Sequence, residues 1–293
     1  MAQKLFDDDF LKKLEYLAIV SKKVFAGKLR AQTRTKKVGW GQEFADHREY
    51  APGDDLRYLD WNLYARVGEL ATKLFQEEEN LNVYFLLDLS RSMDFGTVNK
   101  ADFAKQIVAA LAYIALANLD SVSIVPFSSD LGQTLPLLRG KGQILKIFDF
   151  LDQAPVGGQT DISQSVQTFL RQARGKGLAV VVSDFYDEAG SDKALKSLYH
   201  YGFDLVAVRV HHHREAEPKY RGAFSFTDAE TDRVHHVTIT GRVLRRYVQE
   251  YERFCEELRK LCIGVECTYL PTQTRVPFEE VVLQAFRYGR FIK

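Results

Sequence analysis

From residue 83 onward, short and nearly continuous apolar runs alternate with longer segments of helical periodicity, and that alternation leaves few folds open. Residues 83–89, 122–127, 178–183 and 205–210 read as strands covered on both faces, as in a sheet buried between two layers. Residues 100–119, 143–151, 162–173 and 193–201 read as the helices between them, the first apolar on nearly every side and therefore central. Residues 133–138 read as an edge strand weakened by Pro136. Farther on, 224–240 reads as a hairpin turning near 230–232, 243–261 as a long helix, 265–269 as a last strand and 278–286 as a closing helix. This alternation implies an α/β fold in three layers, with a mostly parallel, Rossmann-like central sheet and helices on both faces.

The first 80 residues follow another pattern. Residues 5–25 read as an amphipathic helix, with Asp7, Asp8 and Asp9 in its first turn, Phe10, Leu14 and Leu17 at helical spacing and Gly27 as a terminator. From 28 to 37 stand five basic residues and no acidic one, which suits a solvated connector or a local anion or partner contact. Residues 43–69 then combine aromatic and charged side chains at high density. Pro52 and Gly53 make a turn, Asp54 or Asp55 can cap a short helix carrying Leu59 and Leu63, and Gly68 can end it. The series Arg48, Asp54, Asp55, Arg57, Asp60 and Arg66 suits a salt-bridged knot or a docking surface. The pattern changes after the acidic run 77–79, so residues 1–80 are expected as an N-terminal helix with a polar and aromatic extension, and 81–293 as the α/β domain.

With 40 Lys and Arg against 39 Asp and Glu, the net charge of +1 creates no global field for nucleic acid or an anionic membrane. The longest apolar run, 107–117, has eleven residues, where a membrane span needs about 20. The expectation is a soluble, cytoplasmic protein with no membrane span and no nucleic-acid partner. Cys255, Cys262 and Cys267 lack C-x-x-C spacing and are expected as reduced, buried thiols. His211, His212 and His213, with His235 and His236, are expected at exposed strand ends rather than around a metal.

The strand at 83–89 ends in Asp88-Leu89-Ser90-Arg91-Ser92, directly before the loop into the buried helix. The carboxyl end of a parallel strand is where open α/β sheets place their ligands. One carboxylate and two hydroxyls there are hard oxygen donors suited to Mg²⁺ or Mn²⁺. Two further loops reach the same edge: Gly157-Gly158-Gln159-Thr160-Asp161 offers the Thr160 hydroxyl, and Asp184, after strand 178–183, offers a second carboxylate. Ser90, Ser92 and Asp161 also suit helix caps and turns, and Asp184 also suits a salt bridge to a lysine. The ordered set Asp88, Ser90, Ser92, Thr160 and Asp184 resembles the metal-ion-dependent adhesion site of von Willebrand factor A domains, and the strand and helix order over 82–213 is similar to theirs. Upstream, EFADHREYAPGDDLRYLDWNLYAR and then FQEEE resemble the bacterial family called domain of unknown function 58, whose GDDLR and DW elements stand at 53–57 and at Asp60-Trp61. That resemblance runs from about residue 39 to the C-terminus.

The resemblance implies a von Willebrand factor A-like, non-enzymatic protein-binding module. In it Ser90 and Ser92 hold Mg²⁺ or Mn²⁺ directly, Asp88, Thr160 and Asp184 hold it directly or through water, and an acidic residue of a protein partner completes the shell. Members are typically encoded beside MoxR-type AAA+ ATPases, which implies such an ATPase or its client as the partner. The rival is a divalent-metal-dependent hydrolase or phosphotransferase with Asp88 as nucleophile or Asp184 as base. Against it, position 90 is Ser where phosphoryl transfer through Asp favours a second carboxylate, and no histidine stands near these loops in sequence. A nucleotide-binding module lacks its phosphate cradle, since neither G-x-G-x-x-G after the first strand nor G-x-x-x-x-G-K-[ST] occurs.

Overall fold

The computed structural model describes residues 5–32, 38–39, 43–76, 81–229 and 233–288. The chain forms two compact units, a smaller one of residues 25–80 and a larger one of 1–24 and 81–293. Helix α1 (Asp8–Gln32) begins with the expected acidic turn and runs past Gly27. One interior glycine costs a helix only about 1 kcal/mol, and the residues after it are good helix formers. The start of α1 belongs to the larger unit because Phe6, Phe10, Leu14 and Leu17 are buried there. The Phe10 ring centre lies 4.8 Å from that of Phe278 and 6.0 Å from that of Phe148.

In the smaller unit, β1 (Val38–Gly39), β2 (Glu43–Glu49) and β3 (Ala71–Gln76) form an antiparallel sheet in the order β1-β3-β2. Strands as charged as β2 carry no apolar alternation, so hydrophobic patterning alone does not reveal them. Helix α2 (Trp61–Val67) is capped by Asp60 rather than by Asp54 or Asp55; its Oδ1 accepts from the backbone of Asn62 and Leu63. Asp60 Oδ2 lies 2.8 Å from His47 Nε2 and 3.6 Å from Lys73 Nζ, and the His47 bond leads the interactions that hold this carboxyl down at about 2. Asp55 caps the preceding 3-10 turn, and Gly68 ends α2 in the left-handed conformation at φ 75°. Arg48 pairs with Asp54 and Arg57 with Asp55, each at 2.6 Å, so four residues of the expected knot form two separate ion pairs, while Asp60 turns to His47 and Lys73. The basic residues at 34, 36 and 37 and the acidic run 77–79 lie outside the described residues.

The larger unit is organised by a six-stranded sheet. Its strands are β4 (Asn82–Asp88), β5 (Ser121–Phe127), β6 (Leu135–Arg139), β7 (Leu178–Ser183), β8 (Asp204–His211) and β11 (Thr268–Gln273), in the order β11-β8-β7-β4-β5-β6. All neighbours are parallel except β6, an antiparallel edge strand containing Pro136. The helices are α3 (Lys100–Ala117), α4 (Ile144–Gln153), α5 (Ile162–Gln172), α6 (Glu188–Tyr201), the single turn α7 (His213–Ala216), α8 (Gly241–Gly264) and α9 (Phe278–Tyr288). Side chains alternate along a strand. Tyr84 and Leu86 of β4 accordingly pack with apolar residues of α5, α6 and α8, while α3 covers the other face and packs against α4 and α9. The parallel strands thus lie between two layers of helices.

Strands β9 (Gly222–Thr227) and β10 (Val234–Ile239) form the expected hairpin, whose turn at 230–232 lies outside the described residues. The last strand begins at Thr268 rather than at residue 265. Helix α8 continues to Gly264, Glu266 turns the chain at φ 50°, and Val265 and Cys267 are buried in that turn, so their apolar character reflects packing of a connection. Among the three free thiols Cys262 and Cys267 are buried and Cys255 is only half-buried. His235 and His236 are exposed on β10 as expected, whereas His212 is buried. Among the described residues no helix is long and apolar enough to cross a membrane.

Two measurements check this packing. Phe10→Ala removes a ring from a closed aromatic cluster and is expected to lower the unfolding free energy by about 3 kcal/mol or more in denaturant titrations. Asp120 accepts from Leu81 N at 3.2 Å, and burial pushes its carboxyl up to about 6. A folded-state value above the unfolded one means that its contribution is fully present below pH 4 and is lost as pH rises through 6. Asp120→Asn is therefore expected to raise the melting temperature at pH 7.5 and to leave it unchanged near pH 4.

Candidate functional site

Strand order reverses direction between β4 and β7: from β4 the chain proceeds to β5 on one side, and from β7 to β8 on the other. The carboxyl ends of two such strands diverge and leave a crevice. Asp88 is the last residue of β4, and Asp184 directly follows β7. Both carboxylates are buried. Asp88 Oδ1 accepts from Ser90 N at 3.0 Å and its Oδ2 from Ser183 Oγ at 2.5 Å, so both oxygens hold the two loops in place. Ser183 Oγ in turn accepts from Phe185 N at 2.9 Å. Phe185 is buried and sits at φ 61°, a strained conformation for a side chain of that size.

The serines complete a chain of oxygens. Ser90 Oγ lies 3.1 Å from Ser92 Oγ, and Ser92 Oγ donates to Asp184 Oδ2 at 2.8 Å. Ser90 opens a 3-10 turn, Arg91–Met93, but its side chain makes no capping bond there. The glycine loop is tied to the same turn: Gly157 N donates to Leu89 O at 2.7 Å and Arg91 N to Gly158 O at 3.0 Å. Gly158 has φ 86°, and a Cβ there would stand 3.1 Å from Ser128 Oγ, so a side chain would strain the loop. Asp161 caps α5 through Gln164 N at 2.8 Å. Asp88, Ser90, Ser92 and Asp184 are thereby brought together, while the half-buried Thr160 lines a neighbouring polar groove of about 630 Å³ with Asp187, Gly190 and Lys193 of the α6 region.

The alternative reading of Asp184, a salt bridge to a lysine, is realised in the structure. Lys100, the first residue of α3, is 1% exposed and places Nζ 2.8 Å from Asp184 Oδ2 and 2.8 Å from Glu215 Oε1. Burial opposes its charge, but Asp184 and Glu215 outweigh burial and raise its pKa. Glu215 Oε2 meanwhile accepts from His212 N at 2.6 Å, closing a capping box on α7. His212 packs against the loop that follows the serines: its ring is 5.3 Å from that of Phe95, and a Cβ on Gly96 would collide with it. The structure therefore does bring a histidine to this loop, with Nδ1 engaged by Arg214 N at 3.3 Å. Sequence did offer a signal for Lys100, since a cation in the first turn of a helix opposes its dipole and needs an acidic partner.

Burial, reinforced by the Asp184 charge, pushes the Asp88 carboxyl up to about 7, against hydrogen bonds from Ser183 and Ser90. Magnesium–oxygen bonds of about 2.1 Å at right angles place neighbouring donors about 3.0 Å apart. The separations of 3.1 and 2.8 Å along Ser90, Ser92 and Asp184 match that spacing. Hard oxygen donors at these spacings fit a small divalent cation. The described residues hold no cluster of three or more His, Cys, Asp or Glu, so any such ion would depend on the hydroxyls.

A second buried cation stands on the same sheet. Arg209 of β8 is 2% exposed, with its guanidinium carbon 5.0 Å from the ring centres of both Tyr251 and Phe254. Cation–π contacts give about 2 kcal/mol when desolvated, whereas burying an ion costs several kcal/mol, so the rings alone do not offset its burial.

Residues 46–257 match the family described as "Protein of unknown function DUF58". The chain belongs to this family. Among curated relatives, an uncharacterized protein of Mycobacterium tuberculosis and one of Mycobacterium bovis are each 26% identical over 206 residues, or 69% of this chain. The match spans 65% of the length of those relatives. Among solved structures, the BatB protein of Bacteroides thetaiotaomicron aligns with TM-score 0.45 and 16% identity, over 71% of this chain and all of that one. The pilus adhesin SpaC of Lactobacillus rhamnosus GG aligns with TM-score 0.44 and 13% identity, over 72% of this chain and 30% of that one. At those scores neither supplies a residue role to this DUF58 chain.

Lys100→Met leaves Asp184 and Glu215 without their shared cation and is expected to cost about 3 kcal/mol or more in chelator, read by urea unfolding. An unchanged midpoint would show that the two acids are not held by the lysine.

Proposed function

We propose that the crevice is a divalent-cation site of the von Willebrand factor A type, used for protein recognition rather than catalysis. The observation that carries this reading is the run of Ser90, Ser92 and Asp184 oxygens at the spacing of neighbouring octahedral ligands. Ser90 and Ser92 would hold Mg²⁺ or Mn²⁺ directly, with Asp184 beside them. Asp88, whose two oxygens already fix Ser90 and Ser183, would act through water, and Thr160 would close the rim from the glycine loop. A bound ion supplies an electrophilic open position that a partner's Asp or Glu carboxylate can fill. Neutral hydroxyls favour that use because they leave most of the ion's charge uncancelled. Lys100 adds to it by neutralising Asp184 in part. Family resemblance directs the search for the partner to a MoxR-type AAA+ ATPase or its client in the cytoplasm.

Calorimetric titration with Mn²⁺ is expected to show one saturable site in the wild-type protein, weakened at least tenfold by Ser92→Ala and by Asp184→Asn. Capture of a purified MoxR-type ATPase is expected in Mg²⁺ and lost in chelator. Equal binding of Mn²⁺ by wild type and both variants would remove the site. Partner capture that survives complete chelation would remove its role in recognition.

A further inference from the structure

Helices α5 and α6 begin side by side at the rim of the crevice, where Ile162 N donates to Asp187 Oδ2 at 3.3 Å. Both helices line the groove of about 630 Å³ that holds Thr160. Its α5 wall is Ser163, Gln164, Gln167, Thr168 and Arg171, a stripe at helical spacing with no apolar member. From Ser163 to Arg171 that wall runs about 12 Å, at the helical rise per residue. The upper end opens beside the crevice, because the loop carrying Thr160 is bonded to the serine turn, Gly157 N to Leu89 O and Arg91 N to Gly158 O.

Charge is divided along this length. At the upper end both acids are engaged in starting the helices: Asp161 Oδ1 accepts from Gln164 N at 2.8 Å, and Asp187 Oδ1 accepts from Gly190 N at 2.9 Å. Both stand where a helix dipole offsets a carboxylate. Farther down, Arg171 in the last turn of α5 and Lys193 in the second turn of α6 are exposed, and among the described residues neither forms an ion pair. The rest of the α5 wall consists of amides and hydroxyls, which donate and accept alike. That mixture complements the alternating N–H and C=O groups of an extended peptide. A polyphosphate needs donors throughout and would meet Asp161 and Asp187 at the rim. The length of the wall accommodates roughly four extended residues. We propose that the groove between α5 and α6 binds an extended acidic segment of the protein partner, which enters from the crevice and places a second carboxylate, four residues from the one on the ion, between Arg171 and Lys193. This rests on the divalent-cation reading of the crevice and adds to it the partner's recognition pattern: two acids separated by three small or polar residues, since the groove has no apolar wall to cover larger ones.

The test is calorimetric titration of the full chain, saturated with Mn²⁺, with three synthetic peptides acetylated and amidated at their ends. GDGSGEG carries acids four residues apart, GDEGSGG carries adjacent acids and GDGSGQG carries one. GDGSGEG is expected to bind at least fivefold more tightly than either of the others, with an advantage that shrinks as salt is added. Replacing the two exposed cations together, Arg171→Gln with Lys193→Gln, is expected to abolish that advantage and to leave Mn²⁺ affinity and the circular dichroism spectrum unchanged. Equal affinity of GDGSGEG and GDEGSGG, or an advantage that persists in the double variant, overturns the proposal and leaves the ion site standing. Absence of Mn²⁺ binding, failure of all three peptides to bind in Mn²⁺, or peptide binding that is unaffected by chelator overturns the crevice reading, and the groove proposal with it.

Discussion

The ammonium group of Lys100 joins three segments that are far apart in the chain. It begins α3, touches the carboxylate that follows β7, and touches the acid that closes the capping box of α7. Two opposite charges at such distances attract strongly in a dry interior, but removing all three from water costs a comparable amount. The network therefore contributes geometry more than net stability. It fixes where the Asp184 carboxylate points, and with it the position of Ser92, whose hydroxyl donates to the same oxygen that Lys100 contacts.

Asp88 performs the complementary task from the other strand. Its two oxygens hold Ser90 N and Ser183 Oγ, and Ser183 holds the strained Phe185 backbone, so the turn that aims Asp184 is tied to the turn that aims the serines. The crevice is preorganised by these bonds. Burial and the neighbouring Asp184 both push the Asp88 carboxyl up from its ordinary value. Lys100 is shared between Asp184 and Glu215 and so balances one of these two acids.

Lys100 and Arg209 are both buried cations associated with the parallel sheet, and they are closed in different ways. Lys100 has two carboxylates at 2.8 Å, while Arg209 has a thiol, two ring faces and the phenols of Tyr251 and Tyr269. The first is complete within the protein. The second is surrounded by rings, phenols and a thiol.

By itself the sequence determined the strands and helices of the larger unit and the three loops that meet at its edge. Apolar runs such as Val83–Leu87 or the Ile107–Leu116 stretch of α3 can only be stable when buried on all sides, and burial on both faces of a sheet requires helical layers. It also determined that Asp88, Ser90, Ser92 and Asp184 would converge, because strand order dictates which loops share an edge. The charged strand β2 and its short partner β3 escaped it, since β2 carries no apolar alternation, and so did the exact start of β11, where apolar residues line a turn. Only the tertiary structure decided the partners of Lys100 and Arg209. A lysine can reach any acid that folding brings within a few ångströms, here across 84 and 115 residues, and an arginine meets whichever rings and thiol folding packs around it. Those outcomes depend on distances between segments that local composition does not encode.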